Sequence, residues 1–328
     1  MEILYIVPAL ITYIVGYILI KYPISISVPT ERGMHKYNIA SSGGIAILIG
    51  IISYRLLSEF VDVPWHVWEA PDVVLVLMFI IFSIIGYIDD KNAISKAFRF
   101  GTQILVSYFI VEEYTAFRPI LTFFAVFLMV YTINIYNFMD GIDQLAISQA
   151  IFFSIGSALL SLGNSFVFSL IFISFFLLNY KKTKIFLGNS GSYLLGLYVA
   201  VVIVLAHRLN VNDEQILIVM LILMTTFYID ATYALIIRFK NQIFSGATIS
   251  ESIKHVTQQA HRTHAYQNLA CKMNSHSKVV FLMMLYNYLW CLPLAYITYR
   301  YDYFLIPVLL SYMPYIYYCY LNKSGTES

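Results

Sequence analysis

Apolar stretches close to the length needed to cross a bilayer recur through almost the whole chain, at roughly 3–20, 43–58, 72–88, 102–117, 119–137, 145–161, 164–179, 193–206, 215–237, 279–299 and 303–320. A helix rises ~1.5 Å per residue, so about 17 to 25 apolar residues cross ~30 Å of hydrocarbon, and the shorter stretches need polar flanks or local thinning. In lipid every backbone polar group must be satisfied within the protein, which leaves helices or closed barrels. Runs this long and continuous predict helices. Composition agrees: 60% of the residues are hydrophobic and 12% charged, far from a soluble domain. The expected fold is an all-α integral membrane protein, a polytopic bundle of about eleven transmembrane helices.

Basic residues orient such a bundle, because Lys and Arg in short loops stay in the cytoplasm. If the segments after odd-numbered stretches form one side, that side holds 16 of the 20 basic residues, and Arg55, Arg118, Arg208 and Arg300 fall on the other. The amino terminus is therefore expected outside and the carboxyl terminus in the cytoplasm. The first apolar run begins with Glu2 and is followed by Lys21, so it reads as a retained span and not as a cleaved signal. The three cysteines, Cys271, Cys291 and Cys319, make no disulfide framework. No repeat or change of composition divides the chain, and residues 1–328 read as one membrane-embedded domain. Its cytoplasmic loops are expected at about 21–42, 89–101, 138–144, 180–192 and 238–278.

Four polar clusters lie at the inner ends of these stretches. Ionisable residues at membrane depth are costly and mark functional sites. Asp89 and Asp90 close the third stretch; adjacent helical residues point about 100° apart, so the two carboxylates would serve different partners, such as a cation and a substrate proton. A solvated helix end is the plainer alternative. Asn134, Asn137, Asp140 and Asp143 recur every three residues, with Gly141 letting the backbone open, and supply amides and oxygen ligands suited to Mg²⁺. Asparagines in a bundle also serve as interhelical glue. Gly188-Asn189-Ser190-Gly191-Ser192 precedes an apolar run, where free amides and the helix dipole favour an anion; a plain helix cap is the other reading. Lys184, close upstream, would steer a diphosphate. His261, Arg262 and His264 would hold phosphate through charge-assisted hydrogen bonds, in preference to a zinc site with Cys271, for which paired cysteines are lacking.

In this order the clusters resemble the polyprenyl-phosphate N-acetylhexosamine-1-phosphate transferases, the group that contains the phospho-N-acetylmuramoyl-pentapeptide transferases and the initiating transferases of O-antigen and related glycans. Pro29 to Gly44, Asp89-Asp90 with Arg99 and Gln103, Asn134 to Leu145, Asn179 to Gly196, Asp230 with Arg238, and His261 to Gln267 carry the likeness over nearly the whole chain. The Ala260–Gln267 stretch is more similar to the O-antigen-initiating branch. The resemblance implies transfer of a sugar 1-phosphate from a UDP-linked N-acetylated sugar to undecaprenyl phosphate, with release of UMP and Mg²⁺ (or Mn²⁺) as cofactor. It places the work at the cytoplasmic face of a bacterial inner membrane, in lipopolysaccharide or similar glycan synthesis.

The resemblance also implies roles. Asp89 and Asp90 are the catalytic acid pair. Asn134, Asn137, Asp140, Gly141, Asp143 and Asn179 are the nucleotide and sugar side. Lys36, Lys184, Ser190, His261, Arg262 and His264 lie near phosphates, and Asp89, Asp90 and position 189 hold the metal. One departure stands out: the family usually has aspartate where this chain has Asn189, which leaves the metal site one negative charge short. No nucleic acid partner is expected, and a homodimer is left open. The competing readings are a catalytically impaired member of the same family and an ion-coupled secondary transporter, whose acids would sit near mid-span.

Overall fold

The computed structural model describes residues 2–28, 38–60, 72–92, 94–115, 117–160, 162, 166–180, 183–206, 213–258, 262–301 and 303–326. Among these residues the protein is all-helical apart from one short ribbon. The helices are α1 (Glu2–Lys21), α2 (Gly43–Phe60), α3 (Val73–Lys91), α4 (Lys96–Tyr114), α5 (Pro119–Met139), α6 (Leu145–Leu159), α7 (Phe166–Leu178), α8 (Gly188–Leu205), α9 (Asp213–Leu223), α10 (Thr225–Phe244), α11 (Ile249–Gln258), α12 (Ala265–Met273), α13 (His276–Tyr286), α14 (Leu292–Tyr301) and α15 (Leu305–Leu321), with a π-helical turn at Asn287–Cys291. Five helical runs are long and apolar enough to cross a membrane: α2, α3, α5, α8 and the continuous run His276–Tyr301. A sixth is counted if Gln215–Leu223 and Thr225–Phe244, bent by 76° at their junction, form one span. Four shorter apolar helices, Tyr5–Lys21, Leu145–Leu159, Phe166–Leu178 and Leu305–Leu321, fall below that length.

The chain packs as two units, Met1–Leu217 and Ile218–Ser328. In the first, α8 is the axis: every residue from Ser190 to Leu205 is buried, and α2, α3, α5 and α6 pack around it. Small residues let the backbones close in, as membrane helices require when lipid offers no hydrophobic drive between them. A methyl group added at Gly44 would overlap the backbone of Gly191, and one at Gly86 would overlap that of Asn189 and Ser190. Farther along α8, Tyr198 is surrounded by Phe168, Phe172 and Phe153, at ring-centroid distances of 4.8, 5.1 and 6.4 Å.

Local chemistry sets both ends of α3 and α4. Asp72 opens α3, its carboxylate accepting from the Leu75 amide at 2.9 Å and from the Tyr114 hydroxyl of α4 at 2.5 and 2.6 Å. The Asn92 amide closes α3 on Ile88 O, and Ser95 caps α4 through the Phe98 amide. The segment 89–101, expected as a loop, is thus helical at both ends around the short link 92–95. The strands Ile26–Ser27 (β1) and Ile39–Ala40 (β2) pair antiparallel. The chain after β2 then zips onto the segment before α8: Phe186 N donates to Ala40 O, Gly43 N to Phe186 O and Gly44 N to Leu187 O, at 2.7, 2.9 and 3.0 Å.

In the second unit, α10, α12 and α15 pack together. The segment 238–278, expected as a long loop, is largely helical: α10 continues to Phe244, and α11 and α12 follow. Asn274, in the left-handed conformation, ends α12, and Ser275 caps α13 through the Lys278 amide.

Candidate active site

The helix-terminal acids of α3 meet the first turn of α8. Asp89 accepts from the Arg99 guanidinium of α4 at 3.2 Å, from the side-chain amide of Asn189 at 3.3 Å, from the Tyr193 hydroxyl at 2.8 Å and from the Ile94 amide at 3.1 Å. Its side chain is 8% exposed. Asp90 turns the other way, as adjacent positions on a helix must, and both its oxygens accept from the backbone amide of Asn189, at 3.1 and 3.0 Å. That amide belongs to the unpaired donors at a helix start, where the macrodipole also favours negative charge. Gly188 makes the approach feasible. Its φ of +66° lies in the left-handed region, and an added Cβ would come within 2.5 Å of an Asp90 oxygen and 2.8 Å of Ser41 O. The small residues read as a turn before α8 therefore serve one carboxylate of α3.

Asp140 and Asp143 lie in the turn that leaves α5. The helical stripe expected from Asn134 to Asp143 stops at Met139; Asp140 is the residue that leaves α5, with φ −84° and ψ 47°. Burial, then the charges of Asp90 and Asp143, push the Asp140 carboxyl well above its ordinary value. Asp143 accepts from the Thr183 hydroxyl at 2.8 Å, tying the turn after α5 to the segment before α8. Gly141 is exposed in that turn.

The amides have mostly structural engagements. Asn134 donates to Gln103 of α4 and to Val130 O, both at 2.7 Å, and Asn137 accepts from Ser192 of α8 at 2.9 Å. Asn179 is buried and organises the chain before α8: its Nδ2 donates to Ile185 O at 2.8 Å, and its Oδ1 accepts from the Lys184 and Ile185 amides at 2.8 and 3.1 Å. Replacing Asn179 with alanine strands these buried groups. The expected cost is roughly 2–4 kcal/mol, read as a lower Tm in detergent, and an unchanged Tm would show that the segment is held some other way. Ser190 is fully buried, with its hydroxyl on Leu187 O at 3.3 Å, whereas the Lys184 side chain is exposed.

Lys36 and His261 lie outside the described residues. Arg262 and His264 belong to the second unit, where Arg262 is exposed and His264 is buried. There Asp230, fully buried, caps α12: its two oxygens accept from the Ala265 and Tyr266 amides at 2.9 and 3.1 Å, and His264 Nδ1 lies 3.4 Å away. Asp230 is thereby the residue that fixes the Arg262–His264 segment onto α10.

Residue patterns left Tyr193 unnoticed. The spacing of Asn189 and Tyr193, four apart and so on one helix face, is the signal that could have found it. Ser192, within the glycine-serine cluster before α8, and Thr183 are the partners of Asn137 and Asp143, pairings that spacing does not show.

Among the described residues, no three His, Cys, Asp or Glu side chains gather into a ready-made metal cage. Mg²⁺ does not need one, because it commonly binds through one or two carboxylates and completes its shell with substrate phosphates and water. Asp90, Asp140 and Asp143 are carboxylates, the hard oxygen donors that Mg²⁺ takes, so the donor chemistry fits such an ion.

The family model for glycosyl transferase family 4 matches residues 73–207, the interval that runs from the start of α3 through the end of α8. The chain is 28% identical over 268 residues to a probable undecaprenyl-phosphate N-acetylglucosaminyl 1-phosphate transferase of Bacillus subtilis, covering 75% of this chain and 73% of that protein. It is 27% identical over 177 residues to an undecaprenyl-phosphate alpha-N-acetylglucosaminyl 1-phosphate transferase of Thermotoga maritima, covering 52% of this chain and 54% of that one. A phospho-N-acetylmuramoyl-pentapeptide-transferase of Lactococcus lactis is 32% identical over 161 residues, 40% of this chain and 49% of its own. The matched regions thus span about half the length of the latter two relatives.

Proposed function

Taking as premise that the chain belongs to glycosyl transferase family 4, we propose that it moves a sugar 1-phosphate from a UDP-linked N-acetylated hexosamine to undecaprenyl phosphate and releases UMP. The observation that carries this reading is the meeting of Asp89 and Asp90 with the first turn of α8. Both substrates are anionic phosphates, so the task is to hold like charges in line while charge on the transferred group is neutralised. An oxygen of the lipid phosphate attacks the β-phosphorus of the UDP-sugar, and the bond from that phosphorus to the UMP oxygen breaks.

Asp90 and Asp140, with Asn189 beside them, are the residues that would hold Mg²⁺ (or Mn²⁺). Asn189 donates through Nδ2 to Asp89, which leaves its Oδ1 as the atom for a cation. The ion, when bound, supplies positive charge to the pyrophosphate. The chain's own part is positional. α3 and α8 hold the acids against backbone amides, and α5 ends at Asp140. Exposed Lys184 provides a cation for the incoming phosphates.

The site is placed on the cytoplasmic face of a bacterial inner membrane, in a single transferase of about eleven crossing segments with its amino terminus outside. The 16-to-4 division of basic residues supports that orientation. The product would start a lipid-linked glycan, O-antigen or similar.

One observation favours a second reading, that of a catalytically impaired member: position 189 is an amide. A single assay decides between them. Purified protein is supplied with undecaprenyl phosphate, Mg²⁺ or Mn²⁺ and a panel of UDP-N-acetylated sugars, and UMP is measured. Release of UMP that depends on the lipid and on one sugar is the expected result; none across the panel, with a working transferase alongside, selects the impaired reading.

A further inference from the structure

The two adjacent acids have very different surroundings. Asp89 takes four donors from three parts of the chain: the Ile94 amide on one oxygen, and Arg99, Asn189 and Tyr193 on the other. An ionised carboxylate offers about four lone-pair positions, so Asp89 is close to saturated. Asp90 takes backbone donors only, chiefly the Asn189 amide shared by both oxygens. One acid is held on every side, and the other has capacity to spare.

We propose that the pair divides its work: Asp89 is a fixed anchor joining α3, α4 and α8, held by Tyr193 and Arg99 as positioning residues, and Asp90 is the carboxylate that meets substrate. The proposal rests on the transferase reading and says how that site is organised. Tyr193 is 1% exposed and cannot itself reach a phosphate; its hydroxyl acts through Asp89. It stands one turn after Asn189, so the side of α8 that donates its backbone amide to Asp90 also grips Asp89 through two side chains. Arg99 completes the anchor from α4 with a charge-assisted bond. Because the acids are consecutive in sequence, fixing one sets the direction of the other. A site that must align two phosphates gains from this rigidity, since small misplacements are expensive in rate.

The test uses the full chain in nanodiscs, with Tyr193→Phe, Asp89→Asn and Asp90→Asn assayed for UMP release over a range of UDP-sugar concentrations. Tyr193→Phe is expected to lower kcat roughly 10- to 100-fold, the loss of one hydrogen bond to a charged group, with little change in KM. Asp89→Asn still accepts from Arg99 and Tyr193 and should keep measurable turnover, whereas Asp90→Asn falls to background. If Tyr193 served only to pack α8, Tyr193→Phe would reduce the folded yield and leave kcat per folded molecule intact. That result overturns the proposal, as does turnover by Asp90→Asn with none by Asp89→Asn. Failure of the unaltered chain to release UMP strikes the transferase reading instead, and the anchor is then judged by thermal unfolding alone. Tyr193→Phe must lower Tm in the native background and have almost no further effect after Asp89→Ala, whereas additive losses dismiss the anchor.

Discussion

Replacing Gly188 with alanine is expected to disable the site while leaving most of the bundle folded. The residue has φ +66°, a conformation that costs an L side chain roughly 1–2 kcal/mol. The new methyl would also stand 2.5 Å from an Asp90 oxygen and 2.8 Å from the Ser41 carbonyl. Asp90 can swing aside, but the Ser41 carbonyl belongs to a backbone already zipped onto the segment before α8 through Gly43 and Gly44. The first turn of α8 must therefore shift, and the Asn189 amide leaves Asp90. A displacement near 1 Å at reacting groups costs on the order of 100-fold in rate. Together with a stability loss of about 2–4 kcal/mol, this predicts near-background UMP release and a Tm lower by several degrees. Native kcat/KM in Gly188→Ala would show that contact between α3 and α8 is not needed for turnover.

Asn189→Asp is the second large effect, and its sign depends on the cation. The native amide donates to Asp89 at 3.3 Å, and a carboxylate in its place turns that contact into repulsion, with Asp90 adjacent. Without divalent ions the variant is expected to lose roughly 2–4 kcal/mol, since a hydrogen bond to a charged group is lost and an unpaired, half-buried charge is added. With Mg²⁺ present the extra carboxylate becomes a ligand, so Tm should recover, and by more than Mg²⁺ raises it in the unaltered chain. Thermal unfolding of both proteins across a Mg²⁺ series reads this without reference to turnover. Parallel responses would remove position 189 from the ion's surroundings.

Much of this arrangement was legible in the sequence, and the reasons are physical. Hydropathy marks α3, α5 and α8 because each must satisfy its backbone in lipid. Acids at the ends of α3 and α5 are expensive enough to be conspicuous. Asp89, Asp90, Asp140 and Asp143 could therefore be named without coordinates. The direction of each side chain could not. Adjacent acids on a helix point apart, but only the path of α8 shows that one meets Tyr193 and the other a backbone amide. Asn134 read as a ligand or as interhelical glue, and Asn179 as a nucleotide contact by resemblance; Asn134 locks α5 to α4, and Asn179 holds the chain before α8. His264 read as a phosphate contact, yet its ring lies buried beside Asp230, because the start of α12 needed an acceptor for its free amides. Loop lengths misled as well. The segments around 89–101 and 238–278 are polar enough to read as loops but form helices, since α3 and α4 nearly abut and α10 runs on past its apolar part.

The burial of α8 bears on how such a chain is assembled. A segment with lipid on one side can settle into the bilayer by itself and find its neighbours afterwards, but α8 is enclosed by α2, α3, α5 and α6, all of them made earlier. With Gly44 and Gly86 pressed against its first turn, it has to slot between segments already inserted. Completion of the site is thus a late event: until α8 has been made, Asp89 has only Arg99 and the Ile94 amide, and Asp90 lacks the Asn189 amide.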